Sequence, residues 1–245
     1  MIEYAHVQAE LLSAVELEHA VSSRPIAYVP LGACEFHGPH LPMGLDALNA
    51  HGVCRVAAAR SGGIVLPPLF YGTGGGHMEY PWTIMIAEPE PIRTLLNTTL
   101  GRLQEFGVRL AVLFSGHFAD EQLEMIELVE AEWNDAGNAM RVIARAVNMP
   151  LGAGLPVPDH AGVFESSLLS NFAPELVHID RLPSIEEAPS ADPGGDESGP
   201  HRHEPQHPLW GVFGADPRRL DPAQNLRLLD ALVGRLVAEV NEASD

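Results

Sequence analysis

The chain contains no lysine, and all 14 of its basic residues are arginine. That absence removes Schiff-base lysine chemistry and the phosphate-gripping lysine of a P-loop. Cysteine is nearly missing too. Cys34 and Cys54 are too few for a disulfide framework, and both are expected to be reduced. No apolar stretch approaches the ~18 residues that span a bilayer. The segment Met1-Ile-Glu-Tyr-Ala-His6 lacks the basic-then-apolar layout of a secretory signal. The net charge of -19 argues against nucleic acid and anionic membranes as partners, because phosphate contacts need clustered cations. A soluble cytoplasmic protein is the expectation. A length of 245 residues at 46% hydrophobic content fits one globular domain over 1–245.

What is present is alternation. Residues 7–20 carry the pattern of an amphipathic helix, and Ile26-Ala-Tyr-Val-Pro-Leu31 reads as a buried strand. A helix is expected from Asp46 to about Ala59. Ile64 to Phe70 is an apolar run broken by prolines, and Thr83 to Ile86 reads as a short strand. Helix is expected over Pro91–Phe106, strand over Arg109–Phe114, helix over Asp120–Trp133 and strand over Met140–Ala146. Helices at Gly162–Phe172 and from Pro222 to about Val240 complete the pattern, the last with Asp221 as N-cap. Such alternation implies an α/β fold with a mostly parallel sheet between helical layers. Residues 183–209 differ in composition. They form an acidic Pro/Gly stretch expected to be a flexible loop, with His201, His203 and His207 solvated.

Twelve histidines raise the question of which converge. In Glu35-Phe-His37-Gly-Pro-His40-Leu-Pro-Met-Gly-Leu-Asp46, two carboxylates and an imidazole of metal-ligand type follow a predicted strand. Glu35 and His37 are two apart, so in extended chain they point to the same side. Asp46 returns across a Pro/Gly turn, as a carboxylate shared by two metals must. Taken singly, each residue has a bland alternative: a surface acid, a loop histidine, a helix N-cap. His117 ends the most apolar strand in a Ser-Gly-His turn, and open parallel sheets collect ligands beyond such strand ends. Glu165 is a further candidate ligand, and His160 a candidate proton donor. Asp120 and Glu121 suit the positive end of a helix dipole. The Gly72–Gly76 cluster suits close backbone approach to a substrate. Cys34 lacks the electropositive setting of a nucleophile.

These segments resemble the creatininase (creatinine amidohydrolase) family. The Glu35–Asp46 stretch is similar to its E-x-H-G-P-H-L-P-x-x-x-D signature, Ser115-Gly-His117 to its N-G-H turn, and His160-Ala-Gly-Val-Phe-Glu165-Ser-Ser to its H-A-G-x-x-E-T-S segment. The resemblance implies a three-layer α/β/α sandwich, a small-molecule substrate and a homo-oligomer, often a hexamer. It implies two divalent ions, zinc or manganese with iron as a further candidate, and hydrolysis of C–N bonds in amides, lactams or formamides through metal-activated hydroxide. The ligands it implies are Glu35, His37, Asp46, His117 and Glu165, with Asp46 bridging. His160 and Glu165 would be catalytic, and His40, His77, Trp82 and Phe118 would lie on the substrate side. Ala119 stands where creatininase has a glutamate ligand, so Glu165 must serve instead. Gly74 and Gly76 replace the serine and glutamate of a substrate loop, which argues against creatinine as the substrate. A non-catalytic metal-stabilised binding protein and a metal enzyme acting on a cyclic ketone are the alternatives.

Overall fold

The computed structural model describes residues 4–76, 78–190 and 200–244. Its order is α1 (Ala14–Ser23), β1 (Ile26–Leu31), α2 (Leu45–Ser61), β2 (Ile64–Val65), α3 (Glu90–Glu105) and β3 (Leu110–Ser115). Then come α4 (Asp120–Asp135), β4 (Arg141–Ala146), α5 (Val163–Ser170), α6 (Pro200–His203) and α7 (Pro222–Ser244). The strands form one parallel sheet in the order β2-β1-β3-β4. None of the described helices is long and apolar enough to cross a membrane.

The sheet is buried on both faces, which explains its uninterrupted apolar strands. Ile26, Tyr28, Val112 and Phe114 pack against α2, α5 and α7 through Val53, Ala57, Phe164, Leu168, Leu232 and Leu236. The alternate residues Ala27, Val29, Leu31, Ala111 and Leu113 pack against α1, α3 and α4 through Val21, Leu96, Leu100, Ile126 and Val129. Two cores on either side of one sheet make the three-layer α/β/α sandwich that the sequence implies.

Local chemistry sets the element ends. Ser13 and Glu16 form a reciprocal capping box, so α1 starts at Ala14. The residues before it form two short 3-10 turns rather than more helix. Pro67 and Pro68 confine β2 to two residues. The strand expected at Thr83–Ile86 is reduced to isolated bridges, Ile84 with Cys34 and Met85 with Gly72. Trp82 sits just before it at φ 61°, a turn conformation that stops a longer ladder. The outer edge of β4 is closed by side chains from α4. Asn134 Oδ1 accepts from Val142 N at 3.0 Å and its Nδ2 donates to Val142 O at 2.9 Å. Glu130 Oε2 accepts from Ala144 N at 2.9 Å.

Part of the 183–209 stretch, residues 191–199, lies outside the described residues. The flanks pack: Leu182, Ala188 and Leu209 are buried. His201 is not solvated as expected. It is 1% exposed, and its Nδ1 meets the Val212 carbonyl at 2.8 Å.

Candidate metal centre

All of the candidate ligands sit at the carboxyl end of the sheet. Glu35 and His37 follow β1, His117 follows β3, and Asp46 is in the first turn of α2. Asp46 does not cap that helix, because Gly44 holds the N-cap position. Its side chain turns inward instead. Two glycines allow this. A Cβ on Gly32 would lie 2.1 Å from Ala47 N, and one on Gly116 would lie 1.9 Å from Asp46 O. The start of α2 therefore rests directly on bare backbone after β1 and β3.

The two Asp46 oxygens face different partners. Oδ1 is 3.1 Å from His37 Nε2, while Oδ2 is 3.5 Å from His117 Nδ1. His37 Nε2 also lies 3.5 Å from Glu165 Oε2, and His117 Nδ1 lies 2.8 Å from Glu35 Oε1. Two triads share Asp46, Glu35–Asp46–His117 and His37–Asp46–Glu165, and a third group of possible ligand atoms, Glu35–His37–His160, lies beside them. Within each, the possible ligand atoms lie within 4.8 Å of one another. All five side chains are nearly or fully buried.

The donor set fits divalent cations. Three carboxylates in one buried volume need positive charge. His37 Nε2 and both Asp46 oxygens have no hydrogen-bond partner, although they are buried. Each histidine is also fixed by its other nitrogen. His37 Nδ1 donates to Glu35 O at 3.0 Å and His117 Nε2 donates to Thr73 O at 3.2 Å, so in the neutral rings the nitrogens facing the carboxylates would carry the lone pairs a metal needs. Burial alone would lower the pKa of His37, but Asp46, Glu165 and Glu35 outweigh it and push it up to about 10. His117 is raised well above its ordinary range, because Glu35 and Asp46 outweigh its burial. Without metal, protons take the place of the cations; metal entry would release them.

Around the triads lies a second ring of contacts that local sequence patterns do not mark. Thr73 N donates to Gln122 Oε1, Gln122 Nε2 to Ser115 Oγ, and Ser115 Oγ to His117 O, at 3.1, 3.3 and 2.5 Å. Asp159 accepts from the amides of Gly162, Phe164 and Glu165, which sets the start of α5 and so the position of Glu165. Burial pushes the Asp159 carboxyl up to about 7 despite those donors. Glu165 Oε2 accepts from Ala161 N at 2.6 Å, with Ala161 at φ 56°. Glu121 does more than face a helix dipole: its Oε2 accepts from Gly75 N at 3.2 Å.

The remaining candidates divide. His160 stacks on His37 with ring centroids 4.4 Å apart, and its Nε2 donates to Phe36 O at 3.0 Å. Phe118 and His160 line a cavity of about 460 Å³ with Glu35, His117, Glu165 and Gly75. His40 is fully buried, with Nε2 3.1 Å from Ala161 O, and burial lowers its pKa to about 4. It is a neutral ring behind the loop that carries Glu165. Trp82 is 86% exposed and does not line the cavity. His77 lies outside the described residues. Ala119 caps α4 at the cavity wall, and Glu165 supplies the carboxylate beside His37.

The family model for creatininase, described as creatinine amidohydrolase, matches residues 10–240. The chain belongs to the creatininase family. It is 30% identical over 215 residues to the creatinine amidohydrolase of Pseudomonas putida, covering 79% of this chain and 75% of that one. It is 33% identical over 183 residues to the mycofactocin precursor peptide peptidase of Mycobacterium ulcerans (strain Agy99), covering 70% and 68%. A crystal structure of creatininase and a structure of its manganese form each superpose with a TM-score of 0.75 at 25% identity, over 97% of this chain and 98% of theirs. Creatininase family membership makes this chain a hydrolase, and one curated relative is named for an amide and another for a peptide.

Proposed function

We propose that this protein is a metal-dependent amidohydrolase that cleaves a C–N bond in a small, non-peptide amide, lactam or formamide. The observation that carries the proposal is Asp46, whose two oxygens each complete a separate buried triad. Two divalent ions, zinc or manganese, held by Glu35, His37, Asp46, His117 and Glu165 would supply Lewis acidity and lower the pKa of bound water towards ~7. His160 has its Nε2 committed to the Phe36 carbonyl, so a proton delivered to a leaving nitrogen departs from Nδ1. Its ring is held flat between His37 and Phe213, at 4.4 and 5.0 Å, which fixes the direction of that delivery. The cavity suits a small ligand, since such sites run to roughly 300–1,000 Å³.

The experiment is to purify the protein, measure bound zinc, manganese and iron, and screen small amides and formamides with and without added metal. Two ions per chain and metal-dependent turnover, lost in His160→Ala with metal retained, are expected. Absence of bound metal together with no gain on adding it would refute the proposal.

A further inference from the structure

Arg202 is the only arginine among the described residues lining the cavity, which also holds Asp120, Glu121 and Asp159 besides the ligand carboxylates. Several other arginines of this acidic chain are ion-paired, Arg60 with Asp230, Arg93 with Glu132, Arg145 with Glu239 and Arg218 with Asp216, and none of these four lines the cavity. Among the described residues, no acidic side chain forms an ion pair with Arg202, and its Nε is buried with no hydrogen-bond partner.

The residue is nevertheless held. Its guanidinium carbon lies 4.3 Å from the centroid of the Phe213 ring. Its carbonyl accepts from Tyr80 Oη at 2.9 Å and from Trp210 Nε1 at 3.3 Å. Phe213 stacks in turn on His160, and His160 on His37. A column of four flat groups thus runs from the metal triads to an unspent positive charge.

We propose that Arg202 receives a carboxylate of the substrate, so that the site takes N-acyl amino acids or amides with a free acid at one end. This rests on the amidohydrolase reading above. A planar guanidinium matches a carboxylate in two parallel hydrogen bonds. With two divalent ions offsetting the three ligand carboxylates, Arg202 would be the cavity's remaining fixed positive charge, set against the acids Asp120, Glu121 and Asp159. With the acid anchored there, the acyl carbonyl of a short substrate extends along the stacked column towards the triads.

The test uses N-formyl and N-acetyl derivatives of glycine and phenylalanine, each as the free acid and as the N-methylamide, with zinc-loaded protein. Formate or acetate release is measured for wild type, Arg202→Gln and Arg202→Lys, alongside zinc content and melting temperature. Wild type is expected to favour the acid by about 10- to 100-fold in kcat/KM, largely through KM, the size of a charge-assisted pair. In Arg202→Gln the acid-to-amide ratio should collapse towards one, and Arg202→Lys should restore part of it. A ratio near one in wild type, or a ratio preserved in Arg202→Gln, overturns the assignment. If Arg202→Gln fails to fold, Arg202→Met is read in its place, and a preserved acid-to-amide ratio there overturns it equally. If no probe is turned over, the amidohydrolase reading is what fails. Calorimetric titration of the same pairs then decides Arg202: tighter binding of the acid in wild type but not in Arg202→Gln sustains it, and equal binding overturns it.

Discussion

Replacing Gly116 by alanine should break the metal centre without touching a ligand. The new Cβ would sit 1.9 Å from Asp46 O and 2.6 Å from Asp46 C, where ordinary contact begins at 3.4 Å. The shortfall is about 1.5 Å, and both atoms are backbone, so no rotamer relieves it. The start of α2 is already pressed on Gly32 through Ala47 N, so it must lift off the sheet by on the order of 1 Å. Ligand distances tolerate only about 0.2 Å. Asp46 would then lose its shared position between His37 and His117. The expected stability loss is about 1–3 kcal/mol, or roughly 2–12 °C in Tm for a chain of this size. Turnover should fall by about 10²-fold. The paired control is Gly101→Ala in α3, where an added Cβ meets nothing within 4 Å. That variant should gain about 0.5–1 kcal/mol. Bound metal by mass spectrometry, calorimetric melting and amide turnover read the comparison. A Gly116→Ala protein with two ions at wild-type affinity and an unchanged Tm would refute the reasoning.

Glu165→Gln should reduce bound metal from two ions to one, because it damages only the triad with His37, whereas Asp46→Asn should weaken both sites. Two tightly held ions in Glu165→Gln would contradict the assignment of that triad. Chelation should lower the melting temperature markedly, since each ion at 1,000 times its Kd adds about 4 kcal/mol to stability; an unchanged transition after chelation argues against resident metal. His51, on α2 near Glu10 and Arg55, has its pKa lowered to about 4, first by burial and then by the Arg55 charge. Its folded value lies below the ordinary unfolded ~6.5, so the native state binds fewer protons. The stability it permits is complete above ~6.5 and is lost as pH falls towards about 4. His51→Gln should flatten that part of the urea-midpoint profile relative to wild type, and parallel profiles would exclude the effect.

The convergence of Glu35, His37, Asp46, His117 and Glu165 was legible because each lies in a short motif just past a strand or at a helix start. In a parallel sheet those positions meet by topology. The alternating apolar runs were equally readable, because β1 and β3 bury every residue. What stayed hidden depends on distance along the chain. Thr73 and Gln122 meet across 49 residues, and Arg202 reaches the cavity only because α6 folds back over Phe213. No local spacing encodes such pairings. His201 misled for the opposite reason: a polar, Pro/Gly-rich neighbourhood suggested water, while the Val212 carbonyl and the surrounding packing bury the ring.

The edge of β4 has a consequence for assembly. An open strand is a template on which another chain can add its own strand. Here the outward amide and carbonyl of Val142, and the outward amide of Ala144, are already taken by Asn134 and Glu130. A second copy cannot extend the sheet across that border without evicting both side chains. The β4 border is thus closed to strand addition by the side chains of its own covering helix.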